Sequence, residues 1–221
     1  MSEFVRENEE GESESRKMPK KIILDLCGGT GSWSKPYKDK GYKVIVADLK
    51  NDIDITKEMT KNILVKKKPY GILAAPPCPM FSFCRTNAKN PRDLDGAIEI
   101  VASCLDIIWR CQSNINSDVQ KYSPLKFWAL ENPNGMLKWF LGKPAFEFSP
   151  YEFGDMYKKK THLWGWFNEA VKTNNKKPDV CKFDKMATKD IHPEFYGKLT
   201  RQERRAITPQ GFAKAFFLAN K

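Results

Sequence analysis

Lys21-Ile-Ile-Leu-Asp-Leu26 is a short apolar run that passes directly into Cys27-Gly-Gly-Thr-Gly31, with Ser32-Trp-Ser-Lys-Pro-Tyr37 behind it. A run of this kind suits a central parallel strand. The glycines let backbone pass close to a bound ligand where a side chain would collide. Ser32 to Tyr37 reads as the start of a helix. Strand, glycine turn and helix start in succession are how doubly wound sheets hold nucleotide cofactors. The pattern is not the dinucleotide fingerprint, which wants a further glycine.

Gly41-Tyr-Lys-Val-Ile-Val-Ala-Asp48 is a second apolar strand that ends in an acid. Asp48 follows the glycine turn by about twenty residues, where an acid commonly accepts both ribose hydroxyls of an adenosine-type cofactor. Asn51-Asp-Ile-Asp-Ile-Thr56 places Asp54 in the next loop, positioned to accept from an adenine amino group. Tyr70 to Leu73 forms a third strand. The β-α-β-α-β run predicts an open α/β sheet, Rossmann-like and mostly parallel, with ligands at the carboxyl ends of its strands.

The third strand leads into Ala74-Ala-Pro-Pro-Cys-Pro-Met-Phe-Ser82. Consecutive prolines end the strand and stiffen the loop, and a stiff loop can aim a thiolate that a flexible one cannot. Cys78 at its tip is therefore a candidate nucleophile, against the alternative of a small core residue. Asp93 to Cys111 carries apolar residues at Ile98, Val101, Ala102, Leu105, Ile108 and Trp109, the stripe of an amphipathic helix. Cys104 and Cys111 share one face of it and read as core. Asn114 to Pro124 is a polar connection. Phe127-Trp-Ala-Leu-Glu131 is the next strand, and its terminal acid, followed by Asn132-Pro133-Asn134-Gly135, repeats the placement of Cys78. An acid there can serve as a turn acceptor or as a catalytic acid with a raised pKa. His162 to Phe167 is a further strand, entered through Lys158-Lys-Lys160. Thr208 to Ala219 is a helix with Pro in its first turn and an apolar face.

Charge narrows the partner. Residues 1–17 hold six acidic and three basic residues, so the remainder carries 35 basic and 21 acidic, a net of +14. Tyr157 to Ala206 alone has thirteen Lys/Arg against six Asp/Glu, in a loop-rich segment of the kind that touches phosphates. A basic body suits a polyanion, and nucleic acid is the first candidate. The six cysteines (27, 78, 84, 104, 111 and 181) include no Cys-x-x-Cys pair, and His162 and His192 are the only histidines. A metal site is not expected. Met1 to Lys17 lacks the apolar core of a signal peptide and reads as a disordered acidic tail. No apolar run approaches membrane-spanning length. A reducing cytoplasm with free thiols is the expected setting.

From Lys20 onward these stretches resemble, in order, the motifs of the DNA cytosine carbon-5 methyltransferase family. Asp25-Leu-Cys-Gly-Gly-Thr-Gly31 resembles the cofactor-binding motif, and Asp48-Leu49 and Asp54-Ile55 resemble the acids that hold ribose and adenine of S-adenosylmethionine. Pro76-Pro-Cys-Pro-Met-Phe-Ser82 is similar to the nucleophile loop, with Pro79 where the family has Gln. Glu131-Asn132-Pro133 is similar to Glu-Asn-Val. Phe153-Gly154 through Thr161 resembles the Gln-x-Arg-x-Arg motif, with Tyr157, Lys159 and Thr161 at its named places. Pro209 and Phe212-Ala213 resemble the closing motif, whose Asn falls on Ala206.

The resemblance implies Cys78 and Glu131 as catalytic residues. It implies a cofactor site of Asp25, Cys27, Gly28, Gly29, Gly31, Asp48, Leu49, Asp54, Ile55 and Pro77. Ser82, Arg85, Asn132, Lys159 and Thr161 are the implied substrate contacts. Residues 18–167 would form the catalytic and cofactor domain, 168–205 a small target-recognition segment, and 206–221 a C-terminal helix that packs back on the catalytic domain. The implied activity is methyl transfer to carbon 5 of cytosine in DNA by a monomer, as in compact phage and viral enzymes, with short or loose sequence specificity. The short recognition segment also admits single-stranded DNA. An RNA-directed enzyme of the same fold, a transferred group other than methyl, and an inactive DNA-binding module stay open.

Overall fold

The computed structural model describes residues 20–83, 85, 88–113, 125–179 and 193–221. The acidic tail, the polar connection Asn114 to Pro124, and the middle of the expected recognition segment lie outside them.

Six strands form one sheet in the order β2-β1-β3-β4-β6-β5. They are β1 (Ile22–Leu26), β2 (Lys43–Ala47), β3 (Gly71–Ala74), β4 (Phe127–Pro133), β5 (Phe146–Phe148) and β6 (Thr161–Trp166). The first four pair in parallel, while β6 lies antiparallel to both β4 and β5. This is the Rossmann-like α/β architecture expected, with an antiparallel edge that the apolar runs alone do not announce.

Neighbouring strand residues serve opposite faces, as a period of two requires. Leu24, Ile72, Leu130 and Trp164 enter the core on one side, with Val101, Cys104 and Ile107 of α3 (Leu94–Ser113) and Leu64 of α2 (Glu58–Val65). Ile23, Leu73, Ala129 and Leu163 enter the other, against α1 (Lys35–Asp39) and α6 (Gln210–Ala219). A short helix, α4 (Lys138–Leu141), follows β4, and α5 (Arg201–Ala206) precedes α6. Because both faces are covered, the central strands read as unbroken apolar runs.

The α6 side is an aromatic core. Phe212 stacks on Phe148 with centroids 3.9 Å apart, and Phe217 meets Tyr37 edge-on at 4.9 Å. Each such ring contributes about 1.5–3 kcal/mol by leaving water. On the opposite side α2 and α3 are laced by Lys61–Asp106 at 3.0 Å and Arg110–Glu58 at 2.5 Å, and Arg110 also holds Asp106 on its own helix at 2.8 Å.

One detail of α3 differs from its sequence reading. Ala102 and Trp109 point to solvent, and the buried stripe runs through Ala97, Val101, Cys104, Ile107, Ile108 and Cys111. The apolar residues of this helix extend around more than one side, so the apolar stripe of the sequence lies slightly off the buried face.

The chain leaves β1 toward β2 and returns to pair β3 on β1's other edge, so the strand order reverses between β1 and β3. Such a reversal opens a crevice at the carboxyl ends of the strands. The glycine turn after β1 and the Pro-Pro-Cys loop after β3 flank it.

Candidate active site

A cavity of about 1110 Å³ occupies this crevice. One end is walled by Asp25, Cys27, Gly28, Gly29, Thr30, Trp33 and Asp48. The other is walled by Pro77, Cys78, Ser82, Arg85, Glu131 and Lys159. The candidate nucleophile, the candidate acid and the glycine turn thus share one space.

The glycine end is tightly built. Gly29 and Gly31 take φ of 52° and 68°, values that favour glycine. A Cβ on Gly28 would collide with the Asp25 carboxyl. Cys27 itself holds φ 54°, a conformation costly for a residue with a side chain. Asp48 fixes the turn from β2: its Oδ2 accepts from Gly29 N–H at 3.0 Å and its Oδ1 from Lys50 N–H at 3.0 Å. Asp25 is fully buried, and its Oδ2 accepts from Ser34 Oγ at 2.5 Å. Burial pushes its carboxyl up to about 7; the Ser34 hydrogen bond opposes the shift and the Asp48 charge adds to it. Asp25 Oδ1 and Trp33 Nε1, one acceptor and one donor, are buried without a hydrogen-bond partner among the described residues.

The cysteine end rests on the loop after β3. Cys78's carbonyl accepts from Phe81 N–H at 3.1 Å and Ser82 N–H at 3.0 Å, which closes the loop into a tight turn. The Arg92 guanidinium donates to the carbonyls of Met80 at 2.6 Å and Ser82 at 3.0 Å. Met136 N–H donates to Phe81 O at 2.8 Å, and Gly135 lies so close to that carbonyl that any Cβ would strike it. Asn132 Nδ2 donates to Pro76 O at 3.1 Å.

Burial pushes the Cys78 thiol up, and Glu131 adds to this, while Lys159 and Arg205 pull it down. Burial also pushes the Glu131 carboxyl up against the pull of Lys159, whose Nζ lies 3.9 Å from Oε1. Burial thus inclines both the thiol and the carboxyl toward their protonated forms, and the Lys159 ammonium draws each the other way.

Of the residues marked in the sequence, Gly31, Leu49, Asp54, Ile55, Asn132 and Thr161 are not part of the cavity wall. Leu49 is exposed and Ile55 lies in the core. Asp54 is occupied by its own turn, accepting from Thr56 N–H at 3.0 Å and Thr56 Oγ1 at 2.7 Å. Thr161 is buried and donates to Lys159 O at 2.9 Å. The wall also holds residues that sequence reasoning did not single out: Trp33, Lys50, Tyr151, Lys158, Lys160, Glu203 and Arg205 among them. Trp33, next to the glycine turn, was open to detection; Glu203 and Arg205 arrive from α5, far along the chain. Among the described residues no group of His, Cys, Asp and Glu could hold a metal ion, and no helix is long and apolar enough to cross a membrane.

No protein-family model matches the chain, and no curated protein matches it at a significant level. Among solved structures it is similar to the Entamoeba histolytica methyltransferase EhMeth, at 10% identity over 91% of this chain and 97% of that one, with a TM-score of 0.44. It is also similar to a variant of Spodoptera frugiperda DNMT2, at 17% identity over 73% of this chain, with a TM-score of 0.42. The chain spans 54% of that second protein. At such identities neither likeness reaches the chemistry, which rests on the residues themselves.

Proposed function

We propose that this protein transfers a methyl group from S-adenosylmethionine to carbon 5 of cytosine in DNA, through a covalent adduct of Cys78. The observation that carries the proposal is the shared cavity: Cys78 and Glu131 line it at one end, the glycine turn at the other, and Lys159 stands 3.9 Å from Glu131.

The residues at the glycine end fit the cofactor. Asp25 and Trp33 line the wall, and each keeps a buried polar atom without a partner among the described residues, the acceptor Oδ1 and the donor Nε1, the complement of an ammonium and a carboxylate on one amino-acid head group. Gly28 and Gly29 leave room beside them, and Asp48 faces the same space for ribose hydroxyls. When bound, the cofactor supplies an electrophilic methyl group on a sulfonium.

Cytosine carbon 5 is too weak a nucleophile to take that methyl unaided. Cys78 adds through sulfur to ring carbon 6, and the ring's electrons move toward carbon 5, which can then form the new carbon–carbon bond. The thiol must lose its proton first, and Lys159 stabilises the thiolate as it forms. Glu131, which burial inclines to the protonated form, hydrogen-bonds ring nitrogen 3 and neutralises the charge that develops there. Solvent water then takes the proton from carbon 5, the freed electron pair re-forms the ring double bond, and sulfur leaves carbon 6 as the thiolate. The target base must be unpaired or flipped out to reach the cavity.

The test is transfer of labelled methyl to DNA, together with trapping on an oligonucleotide carrying 5-fluorocytosine, which blocks the final proton loss. Wild-type protein is expected to form a denaturation-resistant adduct, and Cys78→Ser none. Transfer that survives Cys78→Ser would remove the mechanism, and transfer to RNA alone would reassign the substrate.

A further inference from the structure

Three large aromatic side chains stand in solvent beside the catalytic end of the cavity: Phe83 (41% exposed), Trp139 (66%) and Phe140 (51%). Phe83 belongs to the nucleophile loop and itself lines the cavity. Trp139 and Phe140 come from α4, which follows directly on the Glu131 strand. The Phe83 and Trp139 ring centroids lie 5.6 Å apart, and Lys138 Nζ sits 5.6 Å from the Phe83 centroid.

This patch is held in fixed register with Cys78. Ser82 forms a β-bridge with Gly135, Met136 N–H donates to Phe81 O at 2.8 Å, and the Phe81 ring, fully buried, meets Phe140 edge-on at 6.2 Å. The loop that carries the thiol and the helix that carries Trp139 therefore form one unit. An apolar patch rimmed by charge and left in water marks a place of interaction.

We propose that Phe83 and Trp139, with Lys138 beside them, are a stacking platform for an unpaired nucleobase next to the target, so that the preferred polymer is single-stranded. The proposal rests on the nucleic-acid reading of the cavity and deepens it. The charge around the patch chooses the occupant. Arg85, Lys158 and Arg205 line the adjoining wall, a basic surface suited to phosphates that an apolar protein partner would not need. Aromatic faces beside such a surface are how single strands are held without sequence readout, because every base has a π-face. Lys138 adds a cation near the polymer backbone.

The experiment uses the full chain with S-adenosylhomocysteine and a single-stranded oligodeoxynucleotide whose one cytosine is flanked by 2-aminopurine. Binding is expected to quench the 2-aminopurine emission. Trp139→Ala is expected to abolish the quench and weaken single-strand binding about tenfold or more, while blunt-duplex affinity changes less than about twofold. Trp166→Ala, an exposed tryptophan at the far end of β6, should change neither. An unquenched probe bound to wild-type protein overturns the platform, and so does a folded Trp139→Ala protein with undiminished single-strand affinity. Sedimentation velocity reads the rival occupant: self-association lost in Trp139→Ala with oligonucleotide affinity intact would make this face a contact between copies. The wild-type quench needs no variant, so a misfolded substitution does not shield the idea. Methyl transfer is assayed separately: quench without transfer overturns the proposed activity and keeps the platform, and transfer without quench does the reverse.

Discussion

The Asn132 side-chain amide donates to the carbonyl of Pro76 across 3.1 Å, and neither residue is exposed. The residue after the candidate acid thus grips the loop two residues before the candidate nucleophile. This hydrogen bond adds to the parallel β3–β4 pairing and the Met136 N–H to Phe81 carbonyl bond in holding the candidate nucleophile and the candidate acid at neighbouring strand ends.

Asn132→Ala leaves the Pro76 carbonyl buried without its donor. A loss of about 1–3 kcal/mol of stability is expected in urea melts. Adduct formation with 5-fluorocytosine DNA should slow by about tenfold or more through misalignment, with cofactor affinity unchanged. An adduct rate equal to wild type would show that the loop is aimed by other contacts, the Arg92 pair first among them.

Lys159→Met removes the leading influence that pulls the Cys78 thiol down and the one that opposes burial at Glu131. Both groups should then bind their protons more tightly. The rate of Cys78 alkylation by iodoacetamide is expected to rise at higher pH than in wild type, with Cys78→Ser as the blank for the other thiols. A midpoint that stays put or moves down would mean the ammonium does not act on the sulfur.

Asp25 links stability to pH. Its carboxyl is pushed from an ordinary 3.8 up to about 7, so the folded chain binds the proton more tightly than the unfolded one. Stability supplied by the protonated form is complete below the unfolded value and is lost as pH rises through the folded one. The loss amounts to roughly 4 kcal/mol by about pH 7. Asp25→Asn should flatten this slope, so that the variant gains on wild type between about pH 4 and about pH 7. Parallel slopes in urea melts of the two proteins would put the proton elsewhere.

Trp33→Phe keeps the aromatic packing against Phe216, 5.5 Å between centroids, and deletes only the indole N–H. If that donor holds the cofactor's carboxylate, S-adenosylhomocysteine should bind about tenfold more weakly by calorimetry while the melting temperature barely moves. Unchanged affinity would leave the orphan N–H without a ligand role.

Much of this architecture was legible in the chain because the parallel strands are buried on both faces. Ile22–Leu26, Lys43–Ala47, Gly71–Ala74 and the start of Phe127–Pro133 appear as apolar runs halted by Gly, Asp, Pro or Glu, and those halts are the crevice. Long-range relationships were not legible. Phe146–Phe148 is three residues long, with Glu147 turned outward, too short to announce a strand. Nothing near Arg92 foretells that its guanidinium closes the nucleophile loop ten to twelve residues earlier. The α2 helix buries only Leu64 and so shows a weak stripe. Asp54 stands in the loop after β2 as expected, and the Thr56 hydroxyl and amide two residues on hold its Oδ1, a local turn that its place in the sequence does not announce. Local pattern reveals strand ends, and the contacts made around them decide which of their polar groups remain available.

The α5 contribution to the cavity wall is fastened at both ends: Lys50 pairs with Glu203, and Lys159 Nζ reaches the Arg205 carbonyl at 3.3 Å. Dissolved electrolyte therefore acts on this wall in two ways. Counterions compete with a polyanion for the lysines, and they also weaken the half-exposed Lys50–Glu203 pair that ties α5 to the turn after β2. Polyanion affinity should fall as ionic strength rises, and α5 should loosen over the same range, a change that amide exchange at 201–206 reads with no ligand present.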